Sequence, residues 1–140
     1  MPFRFLDHVA DIVVRVDACS LEDLLVDAGR GLTAVMVDLD AVEPRDCVQF
    51  SVTGRDEQDL LYNFLEELLV YKDADSLVFS AFDVRLHRDS SGNIVASVRA
   101  CGERVRPEHN PRADVKAVSW HGFRVWKDGN GWHAEVLLDL

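Results

Sequence analysis

One short segment near the start of the chain combines two carboxylates with an imidazole. The run is Asp7-His8-Val9-Ala10-Asp11, and it lies just before or at the entry to the first predicted strand. Carboxylate oxygens are the ligands that hard cations prefer, and histidine is the commonest general acid or base. Asp7 is also a residue type that makes turns. The pattern alone therefore leaves a cation site and a simple turn both open.

A second pair of oxygen donors stands at the end of the sequence. The run Val136-Leu137-Leu138-Asp139-Leu140 is an apolar strand that stops at an acid and a leucine. Most chains instead end in a frayed polar tail. A terminal carboxylate on Leu140 next to the Asp139 side chain suits Ca²⁺ or Mg²⁺, which are bound by several oxygens.

A lysine in an apolar setting is the third candidate. Lys116 lies within V-K-A-V-S-W-H, and strand alternation directs it away from the face of Val115 and Ala117. Spacing alone favours a solvent-exposed strand lysine. His109 and His121 do not stand at a spacing typical of zinc ligands. Phosphate-loop, dinucleotide-binding, nucleophile-elbow and HExxH motifs are lacking from the sequence.

The pattern of apolar residues predicts a single α+β domain over residues 1–140, with two main helices and a largely antiparallel sheet, in the order β-α-β-α-β-β-β-β. Ser20 and Asp56 are placed to begin the helices, with acids in the first turns. The predicted strands are 11–17, 47–53, 78–88, 94–100, 115–127 and 132–138, and the polar segment 102–111 is predicted as a loop.

Composition narrows the class of protein. Of 140 residues, 48% are hydrophobic and 29% charged, which is typical of a globular protein and excludes intrinsic disorder. The formal charge of −10 argues against stable binding to nucleic acid and suits cations or basic partners. The start of the chain has no long apolar run and no segment is long enough to span a membrane, so we expect a cytoplasmic protein.

Three cysteines are spread along the chain. Cys19, Cys47 and Cys101 are odd in number, far apart and outside any CxxC motif. This arrangement encodes neither a zinc ribbon nor a thioredoxin-like pair. We expect all three to be buried free thiols.

Several of these segments together resemble one family. The runs D-H-V-A-D, D-L-L-Y-N-F-L-E-E-L-L, G-E…H…V-K-A-V-S-W-H and V-L-L-D-L occur in that order over nearly the whole chain and resemble archease. Val9 replaces the threonine that is usual in the family, and Trp120 replaces a tyrosine. Archeases are small acidic accessory proteins, and not enzymes. They assist the GTP-dependent RNA-splicing ligase of the RtcB type, promoting its guanylylation and repeated turnover in tRNA splicing and RNA repair.

The resemblance also implies roles for individual residues. The family's metal site falls on Asp11, Asp139 and Leu140, and its functional lysine falls on Lys116. Asp7 and His8 complete the family's first motif and are assigned to the contact with the partner or the nucleotide. The implied cofactor is a divalent cation, with Ca²⁺ as first choice and Mg²⁺ or Mn²⁺ as alternatives. The implied partner is an RtcB-type ligase.

Two other classes of function use the same features. A metal-dependent hydrolase or nucleotide-processing enzyme could employ the same carboxylates, and it would turn over without a partner. A general chaperone or an RNA-binding module is the third class, and the acidity of the chain argues against RNA.

Overall fold

The computed structural model describes residues 11–140, and its elements follow the predicted α+β order. The strands and helices are β1 (Asp11–Ala18), α1 (Leu21–Met36), β2 (Asp46–Gly54), α2 (Glu57–Asp75), β3 (Leu77–Arg88), β4 (Ile94–Arg104), β5 (Ala117–Asp128) and β6 (Gly131–Asp139), with short 3-10 turns at Leu39–Ala41 and Pro107–His109. The class and the order are therefore confirmed. Asp7 and His8 lie outside the described residues.

Local capping fixes where both helices begin. The Ser20 hydroxyl accepts the backbone N–H of Asp23 at 3.1 Å, and the Asp56 carboxylate accepts that of Asp59 at 2.8 Å. These bonds satisfy donors that the first helical turn leaves free. At its other end α2 closes on Ser76, a left-handed residue with φ of 55°. The helix starts predicted from the sequence are confirmed.

The six strands form two antiparallel sheets of three strands each, a division that the element order does not specify. The first sheet has the order β1-β6-β5 and the second the order β2-β4-β3. The central strand of each sheet pairs with a strand on either side. In the first sheet, β6 lies between β1 and β5 and pairs with both. The end of β6 is consequently flanked by the start of β1 and the start of β5.

Both helices contact both sheets. Helix α1 packs on β1 and β3, and α2 packs on β2 and β5. One hydrophobic core results, and its fully buried large side chains are Phe64, Phe79, Leu24, Leu25, Leu60, Leu61, Leu65 and Leu138. Among residues 11–140, neither helix combines the length and the apolar character that crossing a membrane requires.

Two predictions from the sequence are wrong at strand ends. The segment predicted as a loop from 102 to 111 begins with strand, because β4 continues to Arg104 and pairs there with Leu77 of β3. Strand β5 begins at Ala117 and not at residue 115, which leaves Lys116 just before the strand. Both ends are decided by pairing with distant strands, which local residue patterns do not contain.

The prediction for the cysteines is also wrong. Cys47 and Cys101 are directly opposite each other in the β2–β4 register, with Cα atoms 4.0 Å apart, and they form a disulfide. Cys19 is the free cysteine of residues 11–140, and it is exposed and not buried. Sequence spacing could not reveal the pair, since the register of two strands brings the cysteines together.

Candidate functional site

Two of the predicted metal ligands face each other at one end of the first sheet. Asp11, the first residue of β1, is the direct antiparallel partner of Asp139, the last residue of β6. Side chains of opposite residues lie on the same face, with Cβ atoms about 4.5–5.5 Å apart. Within residues 11–140, neither carboxylate has an ion-pair partner. The arrangement therefore places two like charges side by side.

The predicted lysine is attached to the same strand end. Asp139 pairs on its other side with Ala117, and the Asp139 carbonyl accepts the backbone N–H of Lys116 at 2.8 Å. Lys116 itself is exposed, whereas Val115 before it is fully buried. The main chain thus holds Lys116 next to the strand end that carries Asp139, although its side chain remains free to reach outwards.

Leu140 follows Asp139 directly and is anchored by its side chain. It is half-buried and packs against the hydrophobic core. It also lines an open groove of about 630 Å³ between β1 and α1, together with Ile12, Val14 and Val35. The packing of the side chain keeps the backbone of Leu140 beside Asp139.

No three side chains of His, Cys, Asp or Glu come together as a metal-binding group in the part of the chain that the structure describes. The two carboxylates of Asp11 and Asp139 nevertheless fit a hard cation chemically, because both are oxygen donors without a competing cation among residues 11–140.

Sequence reasoning did not assign a role to Tyr62, which the structure places near this strand end. Burial raises the pKa of the Tyr62 hydroxyl, and the carboxylates of Glu66 and Asp139 raise it further. The negative charge of Asp139, at the end of β6, therefore acts on the phenol of Tyr62 in α2. The apolar stripe of α2 is visible in the sequence, but nothing in it indicates that the charge of Asp139 acts on Tyr62.

An exposed tryptophan stands beside Tyr62. Trp120 is 52% exposed, yet it is held on two sides, with its ring centroid 5.0 Å from that of Tyr62 and 5.7 Å from that of Phe123. A cleft of about 310 Å³ opens next to it, with Arg55 on its rim. Tryptophan, tyrosine and arginine are enriched where proteins bind one another most strongly.

A bulge in β5 produces this exposure. The β5–β6 register shifts between Ser119 and Arg124, so the residues between them leave the regular ladder. Gly122 has φ of +75° at the bend, a conformation that side chains other than glycine rarely adopt. The bulge buries Phe123 and turns Trp120 outwards, which the alternating sequence of a regular strand does not predict.

The G-E…H motif has a structural explanation. The buried Glu103 carboxylate accepts the N–H of Glu43 at 2.7 Å and a bond from Arg106 at 2.8 Å, and it lies 3.3 Å from the His109 ring. The pKa of the Glu103 carboxyl is lower than usual. The hydrogen bond from the Glu43 backbone N–H lowers it most, and burial, the second largest effect, acts in the opposite direction. The cluster therefore fixes the segment after β4 and is not part of the carboxylate site.

The fold and the site define a small α+β protein whose two helices support an acidic strand end with a lysine beside it. The sequence model of the Archease protein family (MTH1598/TM1083) matches residues 3–140. The chain belongs to the archease family.

Relatives and a solved structure agree with this assignment. The chain is 38% identical over 141 residues to Protein archease of Methanopyrus kandleri, covering 100% of both chains. It is 40% identical to Protein archease of Thermococcus kodakarensis, covering 96% of this chain and 95% of the relative. The solution structure of Methanobacterium thermoautotrophicum protein 1598 is similar with a TM-score of 0.83 and 30% identity, covering 96% of each chain.

Proposed function

We propose that this protein is an accessory factor of a GTP-dependent RNA ligase of the RtcB type, and that it promotes guanylylation and repeated turnover of that ligase. Membership of the archease family supports the proposal. The observation that carries it is the direct pairing of Asp11 with Asp139 at a strand end, next to the main chain of Lys116.

The paired carboxylates are the proposed cation ligands. Two like charges opposite each other in a sheet are destabilising, on the scale of about 0.2–1 kcal/mol that cross-strand pairs contribute. A divalent cation bound to Asp11, Asp139 and the Leu140 carboxylate removes that repulsion, and when bound it supplies positive charge that can offset nucleotide phosphates. Ca²⁺, Mg²⁺ and Mn²⁺ all accept such oxygen donors.

Lys116 is the proposed contact with the ligase or its nucleotide. It is exposed, and in the described part of the chain its ammonium forms no ion pair. A free ammonium on an otherwise acidic strand end can bind a phosphate oxygen as a point charge. Charge of this kind, held in place before reaction, is an effective way to stabilise a phosphate that is being transferred.

A ligation assay with a matched pair of variants tests this proposal. RNA joining by an RtcB-type ligase is followed over many turnovers with GTP, metal and increasing amounts of the protein. Wild type should stimulate turnover, and Lys116→Ala should lose most of the stimulation. Lys127→Ala is the control, since it removes the same charge from the other end of β5, where Lys127 lies over Trp132. A folded Lys116→Ala variant that stimulates like wild type would contradict the proposal.

The same assay distinguishes the accessory role from the alternative function. A metal-dependent hydrolase or nucleotide-processing enzyme that uses Asp11 and Asp139 should convert nucleotide with metal alone and without the ligase. Release of phosphate by the purified protein, lost in Asp139→Asn, is the result that favours the hydrolase. Stimulation that appears only when the ligase is present favours the accessory role.

A further inference from the structure

The segment that connects the 3-10 turn at Pro107–His109 to β5 is fixed at several points. Arg112 donates its backbone N–H to the carbonyl of Met36 at 2.9 Å, and its guanidinium donates to the carbonyls of Ala34 and Val37 at 2.8 Å each. These bonds tie residues 110–116, the connector, to the end of α1. Because α1 packs on β1, the connector is held to the body of the fold before it reaches Lys116.

A lysine with a largely buried side chain holds the other end of the connector. The Lys72 side chain, near the end of α2, is only 9% exposed, which is unusual for a lysine. Its ammonium donates to the carboxylates of Asp73 at 2.7 Å and Asp114 at 2.6 Å, and to the carbonyl of Val115 at 2.6 Å. Burial lowers the pKa of Lys72, but the two carboxylates outweigh it and raise the pKa above its usual value. The ammonium is therefore charged.

The bond to Val115 differs from the other two. The Asp73 and Asp114 carboxylates are largely exposed and can be solvated by water in the absence of the lysine. Val115 is fully buried, so its carbonyl depends on a partner from the protein. Lys72 supplies that partner.

The Val115 carbonyl and the Lys116 N–H belong to one peptide unit, and this unit is bonded at both ends. Lys72 donates to the Val115 carbonyl, and the Lys116 N–H donates to the carbonyl of Asp139 at 2.8 Å. A peptide unit is planar and rigid, so bonds on its two opposite edges restrain its position from both sides. The unit ends at the Cα atom of Lys116, so these two bonds hold the point from which the Lys116 side chain leaves the backbone.

We propose that Lys72 is a positioning residue, which holds the Val115–Lys116 peptide unit so that Lys116 stays beside the Asp11–Asp139 carboxylates. The inference rests on the proposed function, since Lys116 is the group that acts on the ligase. Lys72 acts through the peptide unit and touches neither the ligase nor the cation. Its removal should change the placement of Lys116 and leave the carboxylates unaltered.

Amide hydrogen exchange tests the placement without a ligase. Lys72→Met keeps the apolar stem of the side chain and removes the three bonds that the ammonium donates. The Lys116 amide should exchange at least about tenfold faster in this variant, whereas amides in the middle of β6 keep their rates. Lys127→Met is the matched control and should leave the Lys116 amide unchanged. Unaltered exchange at Lys116 in Lys72→Met would overturn the inference, whatever the function of the protein.

The ligation assay then tests the consequence for function. Lys72→Met should lower the maximal stimulation by about tenfold and leave the half-saturating concentration within about twofold, and it should cause no further loss in a Lys116→Ala background. Equal loss in both backgrounds indicates a general structural role and overturns the inference.

Lys72→Arg keeps the charge and the donors and should restore part of the stimulation, which also covers the case in which Lys72→Met does not fold. Loss in Lys72→Met with none in Lys116→Ala would instead contradict the proposed role of Lys116.

Discussion

Asp11 and Asp139 are direct partners in the β1–β6 pair, although they stand near opposite ends of the chain. The register brings two carboxylates to one strand end, and the bond from the Lys116 N–H to the Asp139 carbonyl adds a lysine to the same place. Sheet topology, and not sequence proximity, therefore creates the candidate site. Its chemistry depends on groups contributed by β1, β6 and the connector before β5.

A C-terminal extension should weaken the proposed cation site. In a protein that ends at Leu140, the terminal carboxylate carries a full negative charge beside Asp139, and a peptide extension replaces it with a neutral carbonyl. Hard cations bind mainly through charge, so affinity for Ca²⁺ should fall by about tenfold or more. Divalent titrations of the extended and unextended proteins measure this. Equal affinities would remove Leu140 from the ligand set and leave Asp11 and Asp139.

Trp120 should contribute to binding of the ligase. Trp120→Ala removes an exposed ring that Tyr62 and Phe123 hold in place, and such a loss typically weakens a protein–protein contact by about tenfold or more. Trp120→Tyr introduces the residue that is usual in the family and should retain most of the affinity. The half-saturating concentration of each variant in the ligation assay gives the comparison, with circular dichroism as a check of folding. A Trp120→Ala variant with wild-type affinity would show that the ring lies outside the contact.

His133 should make stability depend on pH. Its ring nitrogens lie 2.6 Å from the Asp17 carboxylate and 2.8 Å from that of Asp128, and these partners raise the pKa of His133, Asp128 first and Asp17 second. The same bonds from His133 are the leading cause of the lowered pKa values of both aspartates. The imidazolium therefore links β1, β6 and the end of β5.

The direction of each shift gives the pH window. The contribution of His133 is complete below its ordinary pKa of 6.5 and is lost as the pH rises through its raised pKa. The contribution of the aspartates is present above 3.8 and is lost as the pH falls through their lowered pKa values. Wild type should lose stability relative to His133→Gln between neutral and alkaline pH. Thermal unfolding of both proteins across pH 5–9 measures the difference, and parallel curves would contradict the role of His133.

Thiol counting should distinguish the disulfide from free cysteines. Cys19 is exposed and free, whereas Cys47 and Cys101 are bonded to each other. An Ellman titration of unfolded, unreduced protein purified without reductant should therefore give one thiol per chain, and prior reduction should give three. Cys19→Ser should give none before reduction. A result of three thiols without reduction would contradict the disulfide and agree with the three free thiols expected from the sequence.

The sequence predicts features that depend on neighbouring residues and misses those that depend on distant ones. Ser20 and Asp56 begin helices because each bonds a residue three positions ahead, and this signal is local. The continuation of β4 through Gly102 depends on pairing with β2 and β3, and the Cys47–Cys101 pair depends on the same register. Neither is visible in local patterns.

The candidate site follows the same division. The chemistry of Asp139 and Lys116 can be inferred from residue type, and the resemblance to archease joined them with Asp11. Their actual proximity required the topology of the first sheet. The positions of Tyr62 and Trp120 could not be predicted. The packing of α2 on β5 places Tyr62, and a shift in the β5–β6 register turns Trp120 outwards.

The cation dependence of stability tests the central claim most directly. Without divalent ions, Asp11→Asn relieves the repulsion with Asp139 and should raise the free energy of unfolding by about 0.2–1 kcal/mol. With Ca²⁺, wild type should gain stability by mass action and Asp11→Asn should gain much less. Asp83→Asn is the matched control, because it removes the same charge from the second sheet and should respond to Ca²⁺ like wild type. Thermal unfolding of the three proteins with and without Ca²⁺, Mg²⁺ or Mn²⁺ is the measurement. A reversal of order between wild type and Asp11→Asn on adding one of these ions is the predicted result, and an equal shift of all three proteins with every ion would contradict the cation site.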